Sequence, residues 1–241
     1  MLTKNTIKQV ASLRQQKFRK ESGLFVVEGR KMVEELLRSH FTVKALYATE
    51  ACLDLFPQAE TVTEVQMAQM SGQDTPPGIL AVVSIPEAQA LSSSPRFILA
   101  LDGIANPGNM GTLIRTAEWF GIRDIVCSPD CVEIWNPKVI QATMGSIFRV
   151  NIVEADLSQF LPEQQRQGKA IYGALLEGEN LFEKKDCKDG VIVIGSESHG
   201  IRKEVLPYLS HPITIPRVGA SQTESLNASV AAAIIMAELT R

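Results

Sequence analysis

The chain has 241 residues, of which 45% are hydrophobic, and this suffices for the core of one large domain or two small ones. No apolar run approaches the roughly 18 residues needed to cross a bilayer, and the first residues lack the charged-then-apolar order of a signal peptide. We therefore expect a globular protein of the cytoplasm with no membrane partner.

The formal net charge of −3 conceals two unlike parts of the chain. Residues 1–44 contain ten Lys and Arg against four Glu, a balance of +6, whereas residues 45–241 have a balance of −9. A basic stretch of this kind neutralises phosphates and raises the rate of encounter with a polyanion. A solvated helix face would give the same charge pattern, so charge alone leaves both interpretations open.

The first part of the chain alternates short helices and strands. A rough helical period near the start is followed by a strand over 24–27, an amphipathic helix over 28–39, a strand over 42–48, a further element near 61–65 and a strand over 79–84. This pattern predicts a small α/β domain. Because residues 85–95 lapse into Ser, Pro and small side chains, we predict a linker there and two domains, residues 1–90 and 91–241.

The second part predicts a larger α/β domain. Its expected strands cover 97–101, 124–127, 148–153, 169–174, 191–194 and 213–215, and its expected helices cover 109–120, 137–144, 157–167 and 226–240. This alternation is typical of a parallel sheet with helices on both faces and with ligands at the carboxyl ends of the strands.

Four cysteines are too few and too scattered for a disulfide framework, which agrees with a reducing compartment. Cys127 and Cys131 have no nearby histidine or second cysteine pair. We therefore expect buried free thiols and no metal site.

The block NPGNMGTLIR, residues 106–115, follows the first predicted strand of the larger domain. Asn109 is placed to cap the next helix, whose unpaired N–H groups would then face the ligand edge of the sheet. Arg115 lies four residues after Gly111 and shares its helix face, so the glycine would leave space in front of the guanidinium. A surface ion pair is the competing interpretation for Arg115.

The spacing of the block GSESHG, residues 195–200, does not match three familiar motifs: the phosphate-binding P-loop, the nucleophile elbow and the Rossmann fingerprint. What remains is a tight turn that carries Glu197, with Gly195 allowing close approach of a flat ligand. His199 has no evident partner, and a structural role is favoured over acid–base chemistry.

In the third block, residues 213–231, Ser225 and Asn227 are predicted to cap the last helix.

These three ordered blocks resemble the motifs of the SpoU branch of the SPOUT superfamily, the RNA ribose 2′-O-methyltransferases of TrmH-like type. The segments KFRKESGLFVVEG, residues 17–29, and TPPGILAVV, residues 75–83, are similar to the ribosomal-protein-like domain that binds substrate in this family. Nearly the whole chain is covered. The resemblance implies a homodimer, a C-terminal trefoil knot and S-adenosylmethionine as cofactor.

The resemblance also implies roles for particular residues. Arg115 would bind the target phosphate and stabilise the developing alkoxide, because a guanidinium stays protonated and is no base. Asn109 and Glu197 would orient the ribose and Arg115. The implied cofactor-binding residues are Ala174, Gly195, Ile215, Ser225, Leu226 and Asn227. The expected RNA contacts in the first domain are Lys17, Arg19, Lys20 and Arg30.

The sequence departs from the family pattern in the third block. Eight residues separate Pro216 from Ser225, a longer loop than the resemblance leads us to expect, and Ala228 stands where valine is usual. An RNA-binding assembly factor that has kept the fold without turnover is the alternative to an active methyltransferase. The intact Asn109, Arg115 and Glu197 favour the enzyme, whereas the choice between rRNA and tRNA is open.

Overall fold

The computed structural model describes residues 2–184, 187–219 and 222–241. Within these residues the strands are β1 Leu24–Glu28, β2 Val43–Ala48, β3 Glu60–Thr61, β4 Ile79–Ser84, β5 Phe97–Asp102, β6 Asp124–Cys127, β7 Asn151–Glu154, β8 Ala170–Asn180, β9 Gly190–Gly195 and β10 His211–Thr214. The α-helices are α1 Lys4–Ser12, α2 Gln16–Ser22, α3 Arg30–Leu37, α4 Glu64–Met70, α5 Pro107–Trp119, α6 Pro137–Thr143, α7 Leu157–Arg166 and α8 Ala228–Thr240. None of these helices has both the length and the apolar content that crossing a membrane requires.

The chain divides into two compact units that do not follow the sequence continuously. The first unit comprises residues 1–87 and 133–149, and the second comprises residues 88–132 and 150–241. The first change of unit falls near the predicted linker, but residues 133–149 return to the first unit. Residues 133–149, which include α6, therefore belong to the first unit, although the residues before and after them in sequence belong to the second.

The first unit is built on a four-stranded mixed sheet in the order β1-β4-β2-β3. Strand β4 runs antiparallel to both β1 and β2, and Glu28 lies opposite Leu80. This pairing places residues 25–28 of the first upstream motif beside residues 80–83 of the second. One face of the sheet packs against α1 and α4 through a buried cluster that includes Val10, Met67 and Val82.

Aromatic side chains and a buried ion pair hold the 133–149 segment within this unit. The Trp135 ring lies 4.8 Å from that of Phe25, and the Phe148 ring lies 5.2 Å from that of Phe41, measured between ring centroids. Arg19 is 2% exposed and binds Glu133 in a bidentate pair, with Nε donating to the two carboxylate oxygens at 3.1 and 3.0 Å. Because these contacts bury apolar area and a charge pair, they fix the segment on the first unit.

The second unit contains a six-stranded sheet in the order β10-β8-β9-β5-β6-β7, and all its pairings are parallel. This confirms the predicted α/β fold with a parallel sheet flanked by helices. The central strands are buried on both faces, as their continuous apolar runs indicate. Helix α8 packs against α5, so the first and last helices of the unit lie side by side.

Several predicted element boundaries are wrong. The helix predicted from residue 28 begins at Arg30, because Glu28 completes β1. The predicted strand over 148–153 is a 3-10 turn at Ser146–Phe148 followed by β7, because Gly145 at φ 95° turns the chain and Phe148 closes a hydrogen bond back to it. Helices α2 and α4 were not predicted as helices.

Candidate active site

Three loops leave the carboxyl ends of strands in the second unit and form the candidate site. The first joins β5 to α5, the second follows β9 at residues 196–200, and the third leads from β10 to α8. Asp102 and Gly195 lie opposite each other in the β5–β9 pairing, so the first two loops start from adjacent points. The contact of α5 with α8 brings the end of the third loop to the same place.

The start of α5 differs from the prediction that Asn109 is its N-cap. The cap is Asn106, whose side-chain oxygen accepts hydrogen bonds from the backbone N–H of Gly108 and Asn109. Pro107 occupies the first helical position, where the missing N–H costs no helical hydrogen bond. Asn109 is therefore in the first turn, and its side chain is available for contacts outside the helix.

A hydrogen-bond network joins the three loops. Asn109 donates from Nδ2 to Glu197 Oε1 at 2.5 Å and accepts on Oδ1 from Asn227 Nδ2 at 3.1 Å. Ser229 is buried, and its hydroxyl lies 2.6 Å from Asn227 Oδ1 and 3.5 Å from Asn109 Oδ1. Each motif thus supplies at least one residue of the network, so displacement of one loop would disturb the hydrogen bonds of the other two.

Asn227 is also the N-cap of α8, where Oδ1 accepts from the backbone N–H of Ser229 and Val230. This confirms the capping role that was predicted for Asn227. Ser225, the other predicted cap, is exposed and makes no hydrogen bond with a described residue. Residues 220 and 221 of the loop predicted to be unusually long lie outside the described residues.

Gly195 has a different steric role from the predicted one. A Cβ at this position would lie 2.1 Å from the carbonyl carbon of Gly200 and 2.2 Å from the nitrogen of Ile201. The space beside Gly195 is therefore filled by the chain's own backbone and is not left for a flat ligand. A glycine is needed at this position so that the 196–200 loop can fold back against the end of β9.

Arg115 is exposed, and no described residue forms a hydrogen bond or an ion pair with its guanidinium. The surface ion pair considered from the sequence is therefore absent among the described side chains. Gly111, on the same helix face, is buried. His199 is exposed and has a partner, since its Nδ1 lies 2.8 Å from Ser198 Oγ.

The predicted cofactor walls lie along the same edge of the second unit. The pairing of β8 with β9 stops at Gly173, so Ala174 stands at the first position beyond it, although β8 itself runs on to Asn180. Ile215 follows the end of β10 and is half-buried, and Leu226 is 48% exposed. The backbones of Ile215 and Leu226 form no hydrogen bond with a described residue. Apolar side chains beside backbone groups that no described residue binds fit an adenosine.

The predicted RNA contacts separate into two kinds. Lys17, Lys20 and Arg30 are exposed in the first unit, with Lys17 and Arg30 forming surface pairs to acids four residues later. Arg19 must be corrected, because its buried guanidinium binds Glu133 and donates to Leu13 O at 2.7 Å. The sequence did not indicate this structural role, because Arg19 lies between the exposed Lys17 and Lys20.

Sequence reasoning missed Ser229. The available signal was its spacing, because a serine two residues after an N-cap asparagine sits in the first helical turn and points toward the cap. Cys127 and Cys131, predicted to be buried free thiols, are free, with Cys127 buried and Cys131 partly buried, but the effect of each thiol on the other was not predicted. The neighbouring Cys127 thiol is the main cause that lowers the pKa of Cys131 to about 7, against the effect of burial, and Cys131 in turn raises the pKa of Cys127.

Comparison with known proteins identifies the family. The SpoU rRNA methylase family matches residues 96–237, which is more than half of the chain. The chain belongs to this family. The MRM3-like substrate-binding domain matches residues 4–81, so the SpoU-family region is preceded by a second recognisable domain. Both matches confirm the resemblance that the motifs indicated.

Relatives extend over nearly the full chain. The 23S rRNA (guanosine(2553)-2′-O)-methyltransferase RlmP of Bacillus subtilis is 29% identical, and the alignment covers 97% of this chain and 95% of the relative. A TrmH-family protein from Porphyromonas gingivalis superposes with a TM-score of 0.90 at 36% identity, covering 99% and 98% of the two chains. An AdoMet-bound rRNA methyltransferase from Sinorhizobium meliloti gives 0.88 at 25% identity, covering 99% and 95%.

Proposed function

We propose that this SpoU-family protein transfers the methyl group of S-adenosylmethionine to a ribose 2′-hydroxyl of ribosomal RNA. The observation that carries the proposal is the Asn109–Glu197–Asn227 network, which joins all three family motifs at the carboxyl edge of the sheet. The relatives support the reaction and the choice of rRNA over tRNA. RlmP is named as a 23S rRNA 2′-O-methyltransferase, and it aligns over the substrate-binding part as well as the SpoU part.

S-adenosylmethionine would lie against Ala174, the backbone of Gly195, Ile215, Leu226 and the cap of α8. When bound, it supplies a methyl group on a positively charged sulfur. The half-buried Ile215 and the exposed Leu226 would enclose the adenine, and their backbone groups, which no described residue binds, would form hydrogen bonds with its polar edge. Asn227 and Ser225 would border the same pocket.

The chemical difficulty is the weak acidity of a ribose hydroxyl. Arg115 would bind the phosphate next to the target ribose and stabilise negative charge as it develops on the 2′-oxygen. Glu197, held by Asn109, would accept a hydrogen bond from the ribose and keep the hydroxyl in line with the methyl group. The 2′-oxygen would take the methyl group as the carbon–sulfur bond breaks, and the hydroxyl proton would pass to water. Because the reaction is a direct displacement, this alignment supplies much of the acceleration.

The first unit would hold the RNA while the second performs the transfer. Lys17, Lys20 and Arg30 are exposed cations in the net-basic part of the chain and would contact the phosphate backbone. The homodimer and the trefoil knot that accompany this family remain part of the proposal, as does a cytoplasmic location. Trp119 on α5 and Val230 on α8 are 82% and 48% exposed and would suit a face shared by two copies.

Two measurements test the reaction. The first maps 2′-O-methylation in rRNA from cells with and without the gene. The expected result is one methylated ribose that is present only in cells with the gene. The second follows methyl transfer from labelled S-adenosylmethionine to unmodified rRNA by the full-length protein. If neither shows transfer, the protein is an RNA-binding factor that has kept the fold without turnover.

Substitution of Arg115 tests its assigned role. Arg115→Ala should lower methyl transfer about 100- to 1000-fold, as loss of one charge-stabilising donor does elsewhere. Cofactor affinity measured by calorimetry should not change, because the guanidinium has no described partner in the protein and acts on RNA. Arg115→Lys should also fail, because a point charge does not replace a planar fork. Wild-type turnover by either variant would show that Arg115 has another role.

A further inference from the structure

The loop that carries Glu197 is closed at its base. Ser196 and Gly200 exchange two backbone hydrogen bonds of 3.0 and 2.9 Å. The backbone N–H of His199 donates to Ser196 Oγ at 3.1 Å, which adds a bond inside the loop. Glu197 is therefore on a short closed turn, and its position depends on how that turn is fixed to the sheet.

Asp102 provides the attachment. Its carboxylate is fully buried at the end of β5, opposite Gly195 in the strand pairing. Arg202, two residues after the turn, donates its backbone N–H to Asp102 Oδ2 at 2.8 Å and its Nε–H to Oδ1 at 2.6 Å. Both carboxylate oxygens are thus used, one by the main chain and one by the side chain of the same residue.

This bidentate contact is strongly directional. A buried carboxylate that loses its partner is costly, so the pair resists small displacements of the chain at Arg202. Burial lowers the pKa of Arg202, but the Asp102 charge outweighs it and the net shift is upward, so the guanidinium stays charged. Asp130 also touches Arg202, at 3.5 Å from Nη1, but its side chain is 51% exposed. Asp130 therefore contributes much less to the attachment.

We propose that Asp102 is a positioning residue for methyl transfer, which fixes Arg202 and through the 196–200 turn holds Glu197 against Asn109. The inference rests on the proposed function, and it assigns Asp102 no contact with substrate or cofactor. Displacement of Glu197 by a fraction of an ångström would lengthen its 2.5 Å bond to Asn109 and disturb the alignment of the ribose.

Asp102→Asn is the central variant. An amide cannot accept on both sides, so its NH₂ group would face one of the two Arg202 donors. We expect kcat to fall about 10- to 100-fold while KM for rRNA and cofactor affinity stay near the wild-type values. Asp130→Asn is the matched control, because it removes the other carboxylate on Arg202, and its turnover should be that of the wild type.

Two further variants separate positioning from general stability. In a Glu197→Gln background, Asp102→Asn should cause little additional loss of kcat, because both changes act through the same group. Arg202→Ala keeps the backbone bond to Asp102 Oδ2, and the space left by a side chain that is 37% exposed admits water to Oδ1, so the variant should fold with reduced stability. Like Asp102→Asn, it should lower kcat. Full additivity with Glu197→Gln, or wild-type turnover by a folded Arg202→Ala protein, would overturn the proposal.

Hydrogen–deuterium exchange provides a readout that does not depend on catalysis. The peptide that covers residues 195–202 should exchange faster in Asp102→Asn and Arg202→Ala than in the wild type and Asp130→Asn. If the wild-type protein transfers no methyl group, the proposed function fails, and exchange alone then decides whether Asp102 fixes the turn. Unchanged exchange in folded Arg202→Ala protein contradicts the inference even if Asp102→Asn unfolds.

Discussion

Three arginines show how far the role of a residue depends on its surroundings. Arg19 is buried in a bidentate pair, Arg202 is anchored on a buried carboxylate, and Arg115 is exposed without a described partner. Only the last arrangement leaves the guanidinium free for a ligand. Residue type and neighbouring sequence do not separate the three, because the partners Glu133 and Asp102 are about 100 positions away in the chain.

Cys131 should be the reactive thiol of the protein at neutral pH. Its pKa is lowered to about 7, with the neighbouring Cys127 thiol as the main cause, so its thiolate fraction rises as the pH passes through 7. The pKa of buried Cys127 is raised, and this thiol should stay unreactive. Alkylation by iodoacetamide, followed by peptide mass spectrometry between pH 5 and 9, should show a midpoint near pH 7 at Cys131.

Cys127→Ala provides the control for this prediction. A methyl group cannot donate to the Cys131 sulfur, so the alkylation midpoint should move upward. A midpoint that stays near 7 would show that the pKa of Cys131 is set by Ser128 and the nearby backbone amides instead. Equal labelling of both cysteines in the folded wild-type protein would contradict the burial of Cys127.

Much of the site could be predicted at this scale, because its members lie in short segments with clear turn chemistry. Asn109, Glu197 and Asn227 were singled out from the sequence and lie in one network. Two features could not be predicted from the sequence: the burial of Arg19 and the ion pair of Arg202 with Asp102. Both depend on contacts between distant segments, and hydrophobic periodicity carries no information about such pairs.

At the scale of elements, the strands of the second unit were predicted well. Strand β6 was predicted at its observed bounds and the core of β9 differs by one residue at each end, because continuous apolar runs between turns mark buried parallel strands. Helix α2 was missed because its seven residues are mostly polar and only Arg19 is buried. Helix α4 is as short, and only its capping box at Thr63 and Gln66 would have revealed it.

The pair between α2 and the 133–149 segment should contribute strongly to stability. Arg19→Ala leaves Glu133, whose side chain is 15% exposed, without its partner, and we expect a loss of about 3 kcal/mol. Lys17→Ala, on the same helix, removes an exposed pair at 3.9 Å and should cost less than about 0.5 kcal/mol. Urea unfolding in a Trp119→Phe background measures both, because Trp135 is then the only tryptophan and reports on this segment.

A different result would identify a different cause of stability. If Arg19→Ala and Lys17→Ala unfold at the same urea concentration, the segment is held by its aromatic contacts and the ion pair adds nothing net. Arg19→Met then becomes informative, because it keeps the apolar part of the side chain and removes the charge. Recovery of stability in that variant would assign the contribution of Arg19 to packing.

At the scale of the whole molecule, the chain crosses between its two units three times. A linear reading of the sequence predicts one crossing, because composition changes near residue 90 and not near residues 133 or 149. The 133–149 segment reads as an ordinary loop and helix of the larger domain. Its assignment to the first unit is decided by partners such as Phe25, Phe41 and Arg19, which lie more than 90 positions earlier.

This division changes what a truncated protein should do. A fragment of residues 91–241 retains Asn109, Glu197 and Asn227, so its cofactor site should survive. It also retains the 133–149 segment without the side chains on which that segment packs. With Trp119→Phe in both proteins, so that Trp135 is the only tryptophan, we expect its emission to shift to longer wavelength than in the full chain, and proteases to cut within 133–149. The fragment should bind rRNA more weakly and with a smaller salt dependence, because the basic stretch is absent.

A second fragment separates loss of the first unit from damage to the second. In it, residues 133–149 are replaced by a Gly/Ser linker of equal length, which removes the exposed aromatic side chains. It should bind S-adenosylmethionine as the full chain does, resist proteolysis and stay free of aggregates in light scattering. If the unmodified 91–241 fragment instead keeps the 133–149 segment protected, with Trp135 emission as in the full chain, the segment is stable without residues 1–90 and belongs to the second unit. If both fragments bind rRNA with the affinity and salt slope of the intact protein, the first unit takes no part in substrate recognition, and the RNA must be held by the SpoU-family unit alone.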